Sequence, residues 1–294
     1  MTEERKGESF ILGGAIIWSF FPIFTILSYK SVPSMISLTV STFLASVFAL
    51  AVMIYRGKLY ELKNKLLWKY AFVIVVSVSI LYYGFYYFGL TRTTAGNAAL
   101  IALFEVCTSY IFFHIIRKEH FSFESKVGAL LMVLGAAIVL APNFSSFNFG
   151  DLFILLATFF APVGNLFHQK AKLISSAESI LFLRTIIATP FILLFAYLFG
   201  QHLQVFQIKE SLLFLVLNGF FILGLSKIFW IEGVARIPVT KANALNSLAP
   251  LFTLFVAWLV LHQAPTIWQI SSLVPFFFGV LLLTDNLKLK NKPA

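Results

Sequence analysis

The chain is poor in the residues from which enzymes and secreted scaffolds are built. It has one cysteine, Cys107, in 294 residues, which excludes an intramolecular disulfide and leaves that thiol to act as a small hydrophobe within an apolar run. Only 12% of the residues are charged, too few to clothe a soluble domain. There is no H-E-x-x-H, no G-x-S-x-G, no G-x-x-x-x-G-K-[ST] and no cysteine pair. Zinc proteolysis, ester hydrolysis, nucleotide-driven pumping and thiol chemistry therefore lack their residues. His114, His168 and His262 fall near the ends of apolar runs without metal-ligand spacing, and no cofactor is expected.

What is abundant is apolar surface: 60% of the residues are hydrophobic and 35 are phenylalanine. That composition defines an all-α polytopic membrane protein. At roughly twenty residues per crossing, the length accommodates about ten transmembrane helices. Apolar runs predict them at Phe10–Tyr29, Ser34–Ile54, Tyr70–Leu90, Ala95–Ile116, Lys126–Pro142, Leu152–Phe167, Ala177–Phe199, Leu212–Ile231, Ala242–Leu261 and Ile267–Thr284. The polar start MTEERKGESF followed by an apolar run reads as the first helix and not as a cleaved signal, because nine more runs follow.

The net charge of +10 does not point to nucleic acid, because the basic residues sit between apolar runs and not on one stripe. With ten spans, seventeen Lys and Arg fall at the termini and even-numbered connections against three, Lys30, Arg92 and Lys209, on the other side. The positive-inside rule then places both termini in the cytoplasm and the protein in the cytoplasmic membrane. Five spans followed by five more make the second half, 146–294, enter from the side opposite to the first, 1–145, an inverted repeat. Phe229 lies 144 positions after Phe85, and the same offset relates Gly233 to Gly89, Arg236 to Arg92, Ala242 to Ala98 and Gly279 to Gly135.

The helix from Ala98 to Glu105, the exit Arg117-Lys118-Glu119 and the Gly128 to Gly135 helix have counterparts in Ala242 to Pro250, Leu251 to Leu261 and Gly279. This pattern resembles the EamA-type repeat of the drug/metabolite transporter superfamily. The resemblance implies two inverted five-helix halves around a central cavity, with the fifth and tenth helices outside, and alternating-access movement of small metabolites by a protein that is not an enzyme. This chain departs from the pattern in having Val106 where the family often has proline, Ala249 in place of the second acid and Gln263 opposite Glu119.

Glu105 is the leading candidate, since a carboxylate about ten residues into a span costs about 2.5–3.5 kcal/mol and so faces other helices or a wet cavity. It reads as a protonatable or cation-pairing group, or as a lock between helices. In the ninth span Asn243 and Asn246 share a face with Pro250 and Thr253, opposite Leu245, Leu248, Phe252 and Phe255, which suggests a cavity lining or interhelical amide bonds. Trp18 and Tyr82, Tyr83 and Tyr86 are candidates to stack on substrate, with interfacial anchoring as the alternative for the tyrosines. Asn165 and Asn218 lie within spans. Lys227, near the cytoplasmic end of its predicted helix, reads as a snorkelling residue, a partner of Glu105 or a site for an anionic group. Arg184, with Glu178 on the preceding turns, reads as a structural anchor. Pro22, Pro162, Gly164 and Pro250 are candidate hinges.

The expectation is a secondary transporter of small polar or amphipathic metabolites, amino acid export among them, with lipid around it and protons as a candidate coupling ion. Nucleotide-linked sugars or lipid-linked head groups are the alternative cargoes, and a receptor or scaffold without turnover is the alternative class.

Overall fold

The structure, a computed structural model, describes residues 2–117, 122–141, 148–202 and 205–283. Lys118, Glu119, Pro142, the boundary at 145/146, Thr284 and the basic tail Lys288, Lys290 and Lys292 lie outside the described residues. Among those described, eight helices are long and apolar enough to cross a membrane: α1 Glu3–Ser28, α2 Ser34–Tyr55, α3 Lys65–Gly89, α4 Ala95–Ile116, α6 Phe149–Lys172, α7 Ala177–Leu198, α8 Ile208–Val234 and α9 Lys241–Leu261. Two shorter apolar helices are α5, Lys126–Leu140, and α10, Ile267–Leu283.

Short polar side chains start several of these helices by taking an orphan N–H. Thr2 accepts from Arg5, Asn64 from Leu66, Thr94 from Asn97 and Asn148 from Gly150. Large apolar residues such as Phe43, Leu194, Phe255 and Phe277 are left about half exposed on the outside of the bundle, the surface that hydrocarbon covers.

Helices α2, α7, α5 and α10 run without interruption, whereas six others are irregular near their middles. α1 breaks at Ser19-Phe20, just before Pro22, and α6 at Phe159-Phe160, just before Pro162. α4 breaks at Leu103-Phe104 and α9 at Ser247-Leu248. α3 and α8 each loosen into a π-helical stretch, Val75–Tyr82 and Leu217–Leu225. Irregular backbone at membrane depth persists only where its polar groups find partners or line a cavity. Here neighbouring threonines serve. Pro162 removes the donor that the Thr158 carbonyl would have had, and Thr108 Oγ1 from α4 donates to that oxygen at 2.8 Å. In the other half Thr253 Oγ1 from α9 donates to the Ser19 carbonyl at 2.7 Å.

Packing runs across the two halves. α5 lies on α10, α2 on α7, α1 on α8, α3 on α6 and α4 on α9. The α3–α6 crossing is made at Gly89 and Gly150, where a Cβ on either would come within 2.8 Å of the other's carbonyl oxygen. The α1–α8 crossing places Gly7 against Gly233 in the corresponding way, a Cβ on Gly233 lying 3.3 Å from the Gly7 oxygen. Small residues let backbones approach where lipid tails offer helices no net hydrophobic gain from association.

One loop contact outside the membrane fixes a helix start. Glu61, between α2 and α3, accepts from the Ser176 amide at 2.7 Å and from the hydroxyls of Ser175 and Ser176 at 2.5 and 2.8 Å, at the N-terminus of α7. Burial pushes its pKa up, but the hydrogen bonds from Ser175, Ser176 and Ser179 outweigh that and hold it below the ordinary carboxyl value. A depressed native pKa stabilises the fold above the ordinary value and ceases to do so as pH falls through the native one. Glu61→Ala is expected to cost about 1–2 kcal/mol, the penalty for orphaning buried donors at a helix start. Thermal unfolding at pH 7 and pH 3.5 checks it: the wild-type advantage should shrink at the lower pH.

Candidate functional site

The six irregular helices meet around one polar centre. It consists of two adjoining cavities of about 60 and 40 Å³ that share Trp18, Tyr82, Glu105 and Asn246. The turn before Glu105 tightens, with Leu103, Phe104 and Val106 amides bonding three residues back at 3.0 Å, so Glu105 opens the second segment of α4. A carboxylate in the first turn of a helix faces the positive end of its dipole. The π-helical stretch of α3 ends at Tyr82 and that of α8 at Leu225. Each turns the next residues, Tyr83 on one side and Ser226 and Lys227 on the other, into the cavity.

Glu105 Oε1 accepts from Asn165 Nδ2 at 3.1 Å, and Asn165 Oδ1 accepts from Trp230 Nε1 at 3.0 Å. The chain of bonds thus joins α4, α6 and α8. The Lys227 ammonium stands 3.2 Å from the centre of the Trp18 ring and 5.9 Å from that of Tyr83, a close cation–π contact. Trp18 in turn stacks on Phe21, centroids 4.2 Å apart. Arg184 and His168 complete the wall, Nη1 to Nε2 being 3.2 Å.

Of the candidates named from sequence, the structure brings Glu105, Trp18, Tyr82, Tyr83, Asn165, Lys227 and Asn246 to the first cavity, and Tyr86 to the second beside Pro22, Pro250 and Thr253. Two are not brought there. Asn218, in the π-helical stretch of α8, is buried against α1 at Thr25, donating to Thr25 Oγ1 at 2.9 Å and to the Tyr87 hydroxyl at 3.4 Å. Asn243 is 5% exposed and lines neither cavity. The snorkelling account of Lys227 is corrected: α8 continues to Val234, so the residue sits two turns inside the helix and its amine turns inward onto Trp18. Arg184 is no anchor to Glu178, which instead has Arg56 at 3.6 Å. His168, read from sequence as a helix-end residue, is 2% exposed and lines the cavity. Apolar flanks gave no warning of either; the only cue was a basic residue inside an apolar run.

The two ends of the bundle differ. Where the α1–α2, α3–α4, α7–α8 and α9–α10 connections gather, a cavity of about 920 Å³ is lined by Tyr29, Lys30, Ser34, Thr93, Glu210 and Gln263. Tyr29 donates to the Tyr87 carbonyl at 2.7 Å, so along α1 a layer at Thr25 to Tyr29 separates this vestibule from Trp18. At the opposite end α1 is clasped by ion pairs, Glu3 to Arg236 at 3.1 Å and both Glu4 and Glu8 to Lys241 at 2.6 Å. Lys172 of α6 reaches Glu232 at 3.1 Å in the same cluster.

A multi-pass helical membrane protein with broken helices around a small polar centre is the architecture of a membrane transporter. The family model of EamA-like transporters matches residues 5–141 and again 148–285, and the chain belongs to that family of membrane transporters. It is 20% identical over 287 residues to the uncharacterized transporter YoaV of Bacillus subtilis (strain 168), covering 93% of this chain and 95% of that protein. A solved crystal structure of a protein 16% identical superposes with a TM-score of 0.72 over 95% of this chain and 96% of its own, a likeness of fold.

Proposed function

We propose that the protein is a secondary transporter of the cytoplasmic membrane, with both termini in the cytoplasm, that moves small polar or amphipathic metabolites, amino acids among them, by alternating access. In this reading α5 and α10 also cross, giving ten spans as two inverted five-helix halves divided near residue 145. The observation that carries it is the position of Glu105, at the junction of broken helices from both halves and bonded across them through Asn165 to Trp230. Cavities of about 60 and 40 Å³ hold a few waters, so a metabolite enters only when the helices part at Pro22, Pro162, Pro250 and the π-helical stretches. The vestibule of about 920 Å³ and the opposing ion-pair clasp support a state closer to opening on the side away from the termini. Without a phosphate-binding loop the energy comes from a gradient, for which Glu105 supplies a protonatable group. Purified protein in liposomes should exchange a labelled amino acid against an excess of the same compound inside, with uptake at least about tenfold above empty vesicles. Binding of solutes with no exchange of any of them would leave a receptor in place of a transporter.

A further inference from the structure

The second half of the chain brings two cations to the cavity, and among the described residues neither has a carboxylate at ion-pair distance. Arg184 is 2% exposed. One of its nitrogens meets His168 Nε2 at 3.2 Å, its Nε has no hydrogen-bond partner, and the Tyr83 ring lies 5.9 Å from its guanidinium carbon. Nδ1 of His168 is likewise buried and unpartnered. Glu178, on the same helix, is turned to Arg56. Lys227 rests on the Trp18 ring. Arg184, His168, Lys227, Trp18 and Tyr83 line the same cavity as Glu105, whose oxygen is held by Asn165.

Holding a guanidinium out of water against a neutral neighbour costs several kcal/mol unless something pairs with it. Its planar fork of donors fits the two oxygens of a carboxylate, and a nearby ammonium adds a point charge. The cavity therefore carries two cations and one acid, a surplus that a single negative charge on a ligand would cancel. Equivalent positions in the first half carry none of this: 144 residues before Lys227 stands Tyr83, and Ser41 holds the place in α2, from Ser34, that Arg184 holds in α7, from Ala177. The cationic pair is specific to one half of the repeat.

We propose that Arg184, His168 and Lys227 form an anion subsite of the transport cavity, and that the cargo carries one carboxylate that seats there. The inference rests on the transporter reading and narrows it by charge. Trp18, Tyr83 and Trp230 wall the space for the apolar remainder of such a ligand, and Glu105 across the cavity opposes a second acidic group.

The test uses the full chain purified in detergent, with tryptophan fluorescence as readout because Trp18 and Trp230 line the cavity. Benzoate, its neutral isostere benzamide, the cation benzylamine and the dianion phthalate are the probes. Benzoate is expected to change the emission saturably and to bind at least about tenfold tighter than each of the other three, a difference of about 1.4 kcal/mol. Lys227→Gln and Arg184→Gln should each weaken benzoate at least about tenfold and leave benzamide where it was. If Arg184→Gln does not fold, Lys227→Gln decides. Equal binding of benzoate and benzamide, no saturable benzoate binding, or a folded variant that keeps wild-type benzoate affinity overturns the subsite. Liposome exchange separates the two readings. Exchange of neutral solutes without benzoate binding removes the subsite and keeps transport, whereas benzoate binding with no solute exchanged removes transport and keeps the subsite.

Discussion

Glu105→Gln is expected to lower proton-driven uptake about ten- to hundredfold and to flatten its dependence on pH, while the protein stays folded. At about 1.4 kcal/mol for each factor of ten, that range corresponds to about 1.4–2.8 kcal/mol lost with the charge and the proton. Glutamine keeps the volume of glutamate and can still accept from Asn165 Nδ2, now at 3.1 Å from the carboxylate. The α4–α6–α8 connection through Asn165 and Trp230 is thus preserved, and what is lost is the exchangeable proton and the charge facing Lys227. The two roles open to Glu105 separate on this variant. A helix lock predicts a lower melting temperature with transport reduced in proportion to the folded protein recovered. A coupling group predicts an unchanged melting temperature, lost response to an imposed pH gradient, and retained exchange of cargo between equal compartments. Uptake and pH response like those of the wild type would remove the coupling role altogether.

The charge balance of the cavity gives this prediction a second edge. With Glu105 neutralised, Lys227 and Arg184 face no acid, so an anionic ligand should bind more tightly to Glu105→Gln than to the wild type even as coupled uptake fails. Tighter binding with poorer turnover is the signature of a group that competes with the cargo for the same cations. Weakened binding of benzoate in this variant would place the carboxylate elsewhere.

Hydropathy made most of the helices legible, and it did so because a hydrocarbon layer demands one thing of every lipid-facing segment. α2, from Ser34, and α7, from Ala177, begin where the sequence predicts. The polar stripe Asn246, Pro250 and Thr253 does face the cavity, while Leu248, Phe252 and Phe255 face outward. Pro22, Pro162 and Pro250 marked three of the four breaks. The fourth, at Leu103-Phe104, has neither proline nor glycine; it follows from tertiary packing and left no local signal. Nor did the π-helical stretches, since one extra residue in a turn of Val, Ser, Leu or Phe does not disturb an apolar run. Those stretches carry Tyr83 and Lys227 inward, which is why Lys227 read as an interfacial residue. The contact between Arg184 and His168 was hidden for a related reason. Distance along one helix says how deep a side chain lies, not which neighbour it meets, and Glu178 proved to belong to Arg56.

The largest stability effect is expected at the α3–α6 crossing, where the obstruction is backbone. A Cβ on Gly150 would lie 2.8 Å from the Gly89 oxygen and 2.8 Å from the Arg92 carbonyl carbon, and one on Gly89 would meet the Gly150 oxygen at the same distance. Neither neighbour can rotate away, so the helices must separate and every contact beside the crossing loosens with them. Gly89→Val and Gly150→Val should each cost about 2–3 kcal/mol, the upper range for overpacking a fitted interior. The related crossing of α1 on α8 is softer on one side. A Cβ on Gly233 meets a side chain, with Cδ1 and Cγ1 of Ile11 at 2.4 and 2.6 Å, and stays 3.3 Å from the Gly7 oxygen. Gly233→Ala should therefore cost less than Gly89→Ala, although the two glycines stand at matched places in the repeat. Gly84, with nothing within 4 Å of a Cβ, supplies the opposite sign: Gly84→Ala should gain about 0.5–1 kcal/mol from helix propensity alone. Thermal unfolding of the five variants in one detergent orders them, and a Gly89→Val protein as stable as wild type would show that these helices do not cross backbone to backbone.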